Sequence, residues 1–390
     1  IWQDTRCAED AAQLDAAIDP ADKTRWWGAP LPVDASHCMA RMRWMARNRP
    51  GQWERCAHVI LPKDYCLHHL TGELATDAIS NVGMVDLKGS FIPELLALVP
   101  GADQKMLPLG RMDAAMGTVR SGLPFAGTPV AVGTMDAWAG MFGVGVSRPD
   151  QGFYLSGTSE ILGIISPRVV PTPGVLVFPP VNAIQLHAAP TQSGGASIAW
   201  FCDLFALTPE QMNELAASVL PSETPVPLFL PHMSGERAPL WDPDCRGTII
   251  GMGSDTSKAQ LARAVFEGVA FSARWLFDTL ATSADIRPER LHCGGGGFGS
   301  DSFNRLRADI LGVELHKVSV RDPGVLGAAA LAAVAAGRFD NVSEAVGQIV
   351  GFEKVYEPDS ARVPSQDEKF RLFQKAYQAA RPLNHALVRP

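Results

Sequence analysis

The chain lacks any run of the 18–20 continuous apolar residues that a membrane-spanning helix requires. Its most apolar stretch, Leu326–Ala336, is short and alanine-rich and reads as a buried helix. The first residues carry Asp4, Glu9 and Asp10 without a basic region ahead of an apolar one, and do not read as a secretory signal. The seven cysteines (Cys7, Cys38, Cys56, Cys66, Cys202, Cys245 and Cys293) are odd in number, scattered, and never spaced CxxC. That pattern argues against a disulfide framework and a zinc site, and predicts reduced thiols in the cytoplasm. Charge is scarce, at 19% of residues, and the net charge of −7 predicts no general affinity for nucleic acid. Short-period repeats are absent. No initiating Met is present either: the chain opens Ile1-Trp2-Gln3-Asp4.

What remains is a 390-residue chain, 46% hydrophobic, with 36 glycines and 30 prolines. That length suits two domains, and the composition suits sizeable cores cut by many turns. Apolar periodicity predicts helices over 4–18 and 36–48, with Pro50-Gly51 as a stop, then a short strand over 59–61 and a helix over 64–70. A strand over 129–133 precedes a helix over 136–143. A hairpin pairs 153–155 with 161–165. A helix runs over 191–205, strands lie at 226–230 and 248–252, and Ser257 caps a long helix to residue 279. A strand over 290–293, a helix over 302–311, a strand over 313–318 and helices over 324–336 and 366–380 complete an alternating α/β pattern.

Four segments carry chemistry. Gly294-Gly295-Gly296-Gly297 lies between a strand and a helix, where glycines admit a ligand to the backbone and the helix N-terminus favours phosphate. With Gly299 it also satisfies G-x-G-x-x-G, a weak dinucleotide signal. In Gly133-Thr-Met-Asp136 a carboxylate stands at the end of a buried strand, either as a helix cap or as a group able to accept a hydroxyl proton. The turn Ser156-Gly157-Thr158-Ser159 offers small residues that can wrap phosphate oxygens. Residues 231–247 concentrate charge and read as a solvated loop tied by local ion pairs, or as part of a site. His187, His232 and His292 lack metal-ligand spacing and read as ordinary core or surface histidines.

Taken in order, these segments resemble the FGGY carbohydrate kinases of the actin-like ATPase superfamily. Trp2-Gln-Asp4-Thr-Arg6 resembles the family's W-x-D-x-R stretch. Leu61-Pro-Lys63-Asp64-Tyr65, Leu70-Thr-Gly-Glu73 and Thr76-Asp77 resemble its xylulokinase branch. Gly133–Gly140, Leu155–Ser159, Ser234–Gly247, Arg263–Ala270, Gly294–Gly297, Ala308–Gly312 and Leu326–Ala329 follow as the family places them. The resemblance implies two actin-like (RNase H-like) domains with a nucleotide cleft between them: residues 1–146 as the sugar-binding part and 147–390 as the nucleotide-binding part. It implies ATP as phosphoryl donor, Mg²⁺ bridging phosphates without a dedicated protein metal site, and a small sugar or polyol as acceptor. A homodimer is compatible with it. Asp136 would be the general base and, with Trp2, would touch substrate. Gly157, Thr158, Gly294, Gly295, Gly296 and Gly297 would bind ATP.

The pattern departs from the family at two places. Ala137 stands where xylulokinases and glycerol kinases carry an amide, which makes a ketopentose or related polyol the expected acceptor class rather than D-xylulose in particular. The family's opening D-x-G-T phosphate hairpin is not in these residues, so Ile1 is expected not to be the biological start and the first domain to be N-terminally incomplete. Two alternatives stay open: a dinucleotide-dependent oxidoreductase using Gly294, Gly296 and Gly299, and a non-catalytic sugar- or nucleotide-binding family member. The oxidoreductase reading needs an acid ending the next strand, whereas Glu314 starts it.

Overall fold

The computed structural model describes residues 4–182, 184–219 and 225–388. Its centre is a seven-stranded mixed sheet in the order 352–356, 314–318, 290–294, 152–156, 160–165, 186–190, 176–177. Strand Arg290–Gly294 runs parallel to both Gly152–Ser156 and Glu314–Val318, and the remaining pairs are antiparallel. The strand ends that follow Ser156 and Gly294 therefore open on the same edge.

Alternation along the strands sends side chains to two cores. Tyr154, Leu162, Ile164, Leu291, Cys293 and Leu315 face the long helix Lys258–Ala284 and the helix Asp301–Leu311. Phe153, Ile165, Leu186 and Val318 face the helices Asp136–Gly143 and Pro323–Ala335. Lys258–Ala284 begins as expected: the Ser257 hydroxyl accepts from Gln260 N, and the Gln260 side chain accepts from Ser257 N, a capping box. The helix is buried on more than one side, because it is covered by the sheet on one and by the C-terminal helix Val363–Val388 on another. Phe370, Phe373 and Tyr377 of that last helix are buried, as their spacing predicts.

The two helices on the second face touch backbone to backbone. A Cβ at Gly143 would lie 1.7 Å from the Pro323 carbonyl oxygen, and one at Gly327 would lie 1.8 Å from that of Ala139. Residues between Cys7 and Ala102 pack a further, mostly helical core around Leu14, Trp26, Trp27, Met39 and Leu95, while Ile79 and Met112 join the core on the sheet's second face. The strands described before residue 132 form two pairs, Thr76–Asp77 with Leu109–Gly110 and Ala115–Thr118 with Pro129–Ala131.

Several local expectations change. The helix expected over 36–48 does end at Asn48, before the Pro50-Gly51 stop, and Pro50 also opens a further helix, Pro50–Arg55, because proline's missing N–H costs nothing at the first helical position. Residues 59–61 form no strand; Val59 N donates to Lys105 O across a loop. Helices Pro20–Trp27, Pro209–Ala217 and Val342–Ile349, and strands Leu176–Val177, Leu186–Pro190 and Phe352–Tyr356, are additional to the expected elements.

Candidate active site

Asp136 is the first residue of helix Asp136–Gly143 and is exposed. Met135 occupies the cap position without a side-chain cap bond, so the carboxylate is not consumed as a helix cap; one oxygen accepts from Ala137 N at 2.8 Å. The loop that carries it is pinned from behind. Thr134 Oγ1 donates to the buried Asp77 at 2.9 Å, and Lys63 Nζ lies 3.0 Å from the other Asp77 oxygen and 2.6 Å from Asp64. Lys63 also reaches the Val132 carbonyl. A close contact couples this helix to the neighbouring turn: a Cβ at Gly140 would lie 2.7 Å from Leu155 Cδ1. Gly140 is one turn from Asp136, about 6 Å along the axis, and Leu155 is the last residue before Ser156.

Ser156-Gly157-Thr158-Ser159 is the tip of the hairpin joining 152–156 to 160–165, with residues 157–159 exposed. It is held by the N-terminus of helix Gly195–Phe205: Gly195 N donates to Gly157 O at 2.9 Å and Ala196 N to Thr158 O at 3.0 Å. The tetraglycine follows strand Arg290–Gly294 directly and turns into a short 3₁₀ segment, Gly296–Phe298. Gly295 has φ of +96°, and a Cβ there would lie 2.5 Å from Ser156 O. A side chain is excluded on both counts. At Gly296, by contrast, a Cβ would meet nothing within 4 Å. The two loops thus meet at Ser156, with Gly296 and the tip 157–159 open above the contact.

The fold therefore brings Asp136, Gly157, Thr158 and Gly294–Gly297 to one edge of the sheet. Trp2 lies outside the described residues. Asp4 and Arg6 of the same stretch pair with each other, and the Arg6 guanidinium lies over Trp44.

Residues 231–247 are not a solvated loop. Glu236, His232 and Asp242 are buried. Glu236 accepts from Gln192 N, the Ser193 hydroxyl and Arg237 N, and lies 3.0 Å from His232 Nδ1. Ala238 N donates to Pro190 O at 3.2 Å, and Thr191 N to Glu160 O at 2.8 Å. The charged segment braces residues 190–195, which in turn carry the helix that holds the phosphate-type turn. Asp242 anchors the C-terminal helix, accepting from Tyr377 Oη at 2.7 Å and lying 2.8 Å from His385 Nε2. His187 and His292 are core histidines, as their lack of ligand spacing suggested. Burial pulls each down to about 4.

Sequence reasoning missed Glu160 and Arg307. Arg307, on helix Asp301–Leu311, is fully buried and donates to Glu160 Oε1 at 2.9 Å, to Ser156 Oγ at 2.9 Å and to the Gly297 carbonyl at 2.7 Å. Burial raises the Glu160 carboxyl, and Arg307 opposes that rise. The one available signal was an isolated acid next to a glycine turn, which in a sequence is indistinguishable from a surface residue.

The dinucleotide reading is not favoured. Glu314 opens strand Glu314–Val318, at the end of the strand remote from the glycine loop, and so cannot meet a ribose beside Gly294–Gly299.

Residues 1–143 match the N-terminal domain, and residues 152–336 the C-terminal domain, of the FGGY family of carbohydrate kinases. The chain is 28% identical to a xylulose kinase of Escherichia coli K12, over 98% of this chain and 80% of that protein. It is 26% identical to an autoinducer-2 kinase of Escherichia coli K12, over 97% of this chain and 76% of that one. Among solved structures, a protein from Brucella ovis described as a xyloylose kinase superposes with a TM-score of 0.87 at 28% identity, covering 98% of this chain and 79% of that one. With its two-domain kinase architecture and the loops gathered on one sheet edge, the chain belongs to the FGGY family of carbohydrate kinases.

Proposed function

We propose that this kinase transfers the γ-phosphoryl group of ATP to a hydroxyl of a ketopentose or related polyol, with Asp136 as general base. The observation that carries the proposal is the convergence of an exposed carboxylate, a small-residue hairpin tip and a tetraglycine turn on one sheet edge. ATP-dependent phosphorylation of a sugar is the activity of the family; the residue roles are our assignment. Gly157 and Thr158 hold the outer phosphates through backbone and hydroxyl, and Gly294–Gly297 lie along the phosphate and ribose end. Asp136, with one oxygen not engaged by its own helix, accepts the proton of the attacking hydroxyl as the phosphoryl group moves in line. Trp2 contributes to the sugar side.

Mg²⁺ supplies neutralisation of phosphate charge when bound. The donor set suits it: one exposed carboxylate beside a phosphate loop is the arrangement of an ion held mainly by phosphate oxygens and water. The similarity to xylulose kinases supports the ketopentose class, and Ala137 removes an amide donor that a polyhydroxy acceptor would use. We further infer a domain boundary between 146 and 147, a homodimer, a cytoplasmic setting and no nucleic-acid partner. Supporting these are the separate core of residues 7–102, the exposed Leu383 and Leu387 on the last helix, seven unpaired cysteines, and the net charge of −7. No helix among the described residues is long and apolar enough to cross a membrane.

The test is a coupled phosphorylation screen over ketopentoses, alditols and glycerol with and without Mg²⁺, followed by Asp136→Asn with the accepted substrate. Loss of the base is expected to lower kcat by about 10²–10⁴ with the fold unchanged. Near-normal kcat would remove Asp136 from this role.

A further inference from the structure

We infer that Arg307 and Glu160 are positioning residues for the nucleotide: one buried guanidinium sets the hairpin tip and the tetraglycine turn at a fixed spacing, so that both address the same triphosphate. The inference rests on the assignment of those loops to ATP.

The two loops come from distant parts of the chain and share no side chain of their own that could fix their separation. Glycines offer none; the strands that feed the loops are paired only as far as Leu155 and Gly294, and beyond that register the contact at Ser156 is a close approach that excludes side chains. Past the end of that ladder Arg307 links them. Its Nη2 donates to Ser156 Oγ and Glu160 Oε1, the residues flanking the tip and paired across the hairpin. Its Nη1 donates to the Gly297 carbonyl in the other loop. Asn304, one turn earlier on the same helix, donates to the Phe298 carbonyl at 2.9 Å and steadies the exit of the glycine turn. The guanidinium is fixed in turn by rings, lying 3.9 Å from the Phe303 centroid and 4.6 Å from that of Phe298.

Stability alone does not account for this pair. Arg307 Nε is buried without a hydrogen-bond partner among the described residues, so the pair is incompletely satisfied. A well-packed apolar pair of similar volume is often as stable as a buried ion pair, or more so. An apolar pair could not reach the Gly297 carbonyl and the Ser156 hydroxyl at once. Arg307 also sets a positive charge against Glu160, whose carboxylate would otherwise stand bare beneath an anionic ligand.

The decisive variant is Glu160→Leu combined with Arg307→Met, which removes the pair without stranding a charge. ADP affinity is read by calorimetry, and amide hydrogen exchange is read at 157–159 and 295–297. The expected result is cooperative unfolding like the parent, ADP Kd weakened at least tenfold, faster exchange at both loops, and an unchanged sugar KM in turnover. Arg307→Lys is the second variant. It keeps the charge but lacks the fork that reaches three acceptors, and it is also expected to weaken ADP binding should the double variant not fold. Gly296→Val, branching into open space at the proposed ligand site, tests the loops themselves. If it loses ADP while the double variant and Arg307→Lys bind and exchange like the parent, the positioning role is overturned and the ATP assignment stands. If the parent binds no ADP, or Gly296→Val binds it normally, the ATP assignment fails and the inference falls with it.

Discussion

Replacing Gly327 by alanine adds a single methyl group at the point where helix Pro323–Ala335 crosses helix Asp136–Gly143. That methyl carbon would sit 1.8 Å from the Ala139 carbonyl oxygen and 2.9 Å from Gly143 N. Both obstacles are backbone, so no rotamer change relieves them, and the helices must part by more than about 1 Å. Overpacking of this kind costs about 1–3 kcal/mol. The buried side chains Trp138, Met141, Phe142, Ala330 and Leu331 are drawn apart with the helices. Asp136 begins the displaced helix, and a misplacement of about 1 Å at a reacting group can lower a rate by about 10²-fold. Gly327→Ala is therefore expected to unfold several degrees lower in a thermal scan and to lose about two orders of magnitude in kcat. Gly51→Ala is the matched control. It lies in helix Pro50–Arg55 where a Cβ meets nothing within 4 Å, and it should gain about 0.5–1 kcal/mol with unchanged turnover. A Gly327→Ala protein with the parent's melting temperature and kcat would refute the close approach and its link to Asp136.

Three further outcomes are open to measurement. His187 and His292 are buried with their imidazoles pulled down to about 4, below the roughly 6.5 of an unfolded chain. Their neutral forms thus favour folding above about pH 6.5. That contribution should fall as pH drops toward 4, by up to about 1.4 kcal/mol per pH unit for each, as denaturant titrations at several pH values would reveal. Burial pushes Asp242 up, but hydrogen bonds from Tyr377 and His385 outweigh it and hold the carboxyl below its usual range. Its contribution should be full above the unfolded carboxylate pKa of about 3.9 and be lost as pH falls through the lower folded value. Asp242→Asn should cost on the order of 1–3 kcal/mol at neutral pH and speed amide exchange in residues 377–388; exchange like the parent's would contradict the anchoring. Finally, Asp136→Asn, with its expected loss of about 10²–10⁴ in kcat, should leave ADP affinity within about threefold, since the carboxylate acts on the acceptor; a matching loss of ADP binding would place it on the nucleotide instead.

Much of the local structure was legible in the residues because the signals that decide it are short-ranged. Ser257 and Gln260 announce a capping box, and Gly72 ends its helix in the left-handed conformation. A strand, then glycine, then a helix marks both the stretch from Pro129 to Gly143 and the stretch from Arg290 to Leu311. Two missed helices carried equally local signals that went unused: Asp19-Pro20 opens one, and Thr208 with Gln211 forms a capping box for the other. The missed strands Leu176–Val177 and Leu186–Pro190 are different. They are short and without clear alternation; Leu186–Pro190 exists because strand Glu160–Ile165 offers it an edge, and Leu176–Val177 because Leu186–Pro190 offers one in turn.

By itself the sequence determined the element types, the order of the chemistry-bearing loops and the family, since caps, glycines and apolar periods act within a few residues of themselves. Tertiary structure decided which of those loops share a site and what holds them there. Arg307 meets Glu160 across 147 positions, and the charged segment 231–247 became a buried brace because residues 190–195 and the C-terminal helix close over it. No local pattern encodes such meetings; they follow from the pairing of strands 152–156 and 290–294, neighbours in the sheet though far apart in the chain, and from which side chains that register leaves facing one another without water.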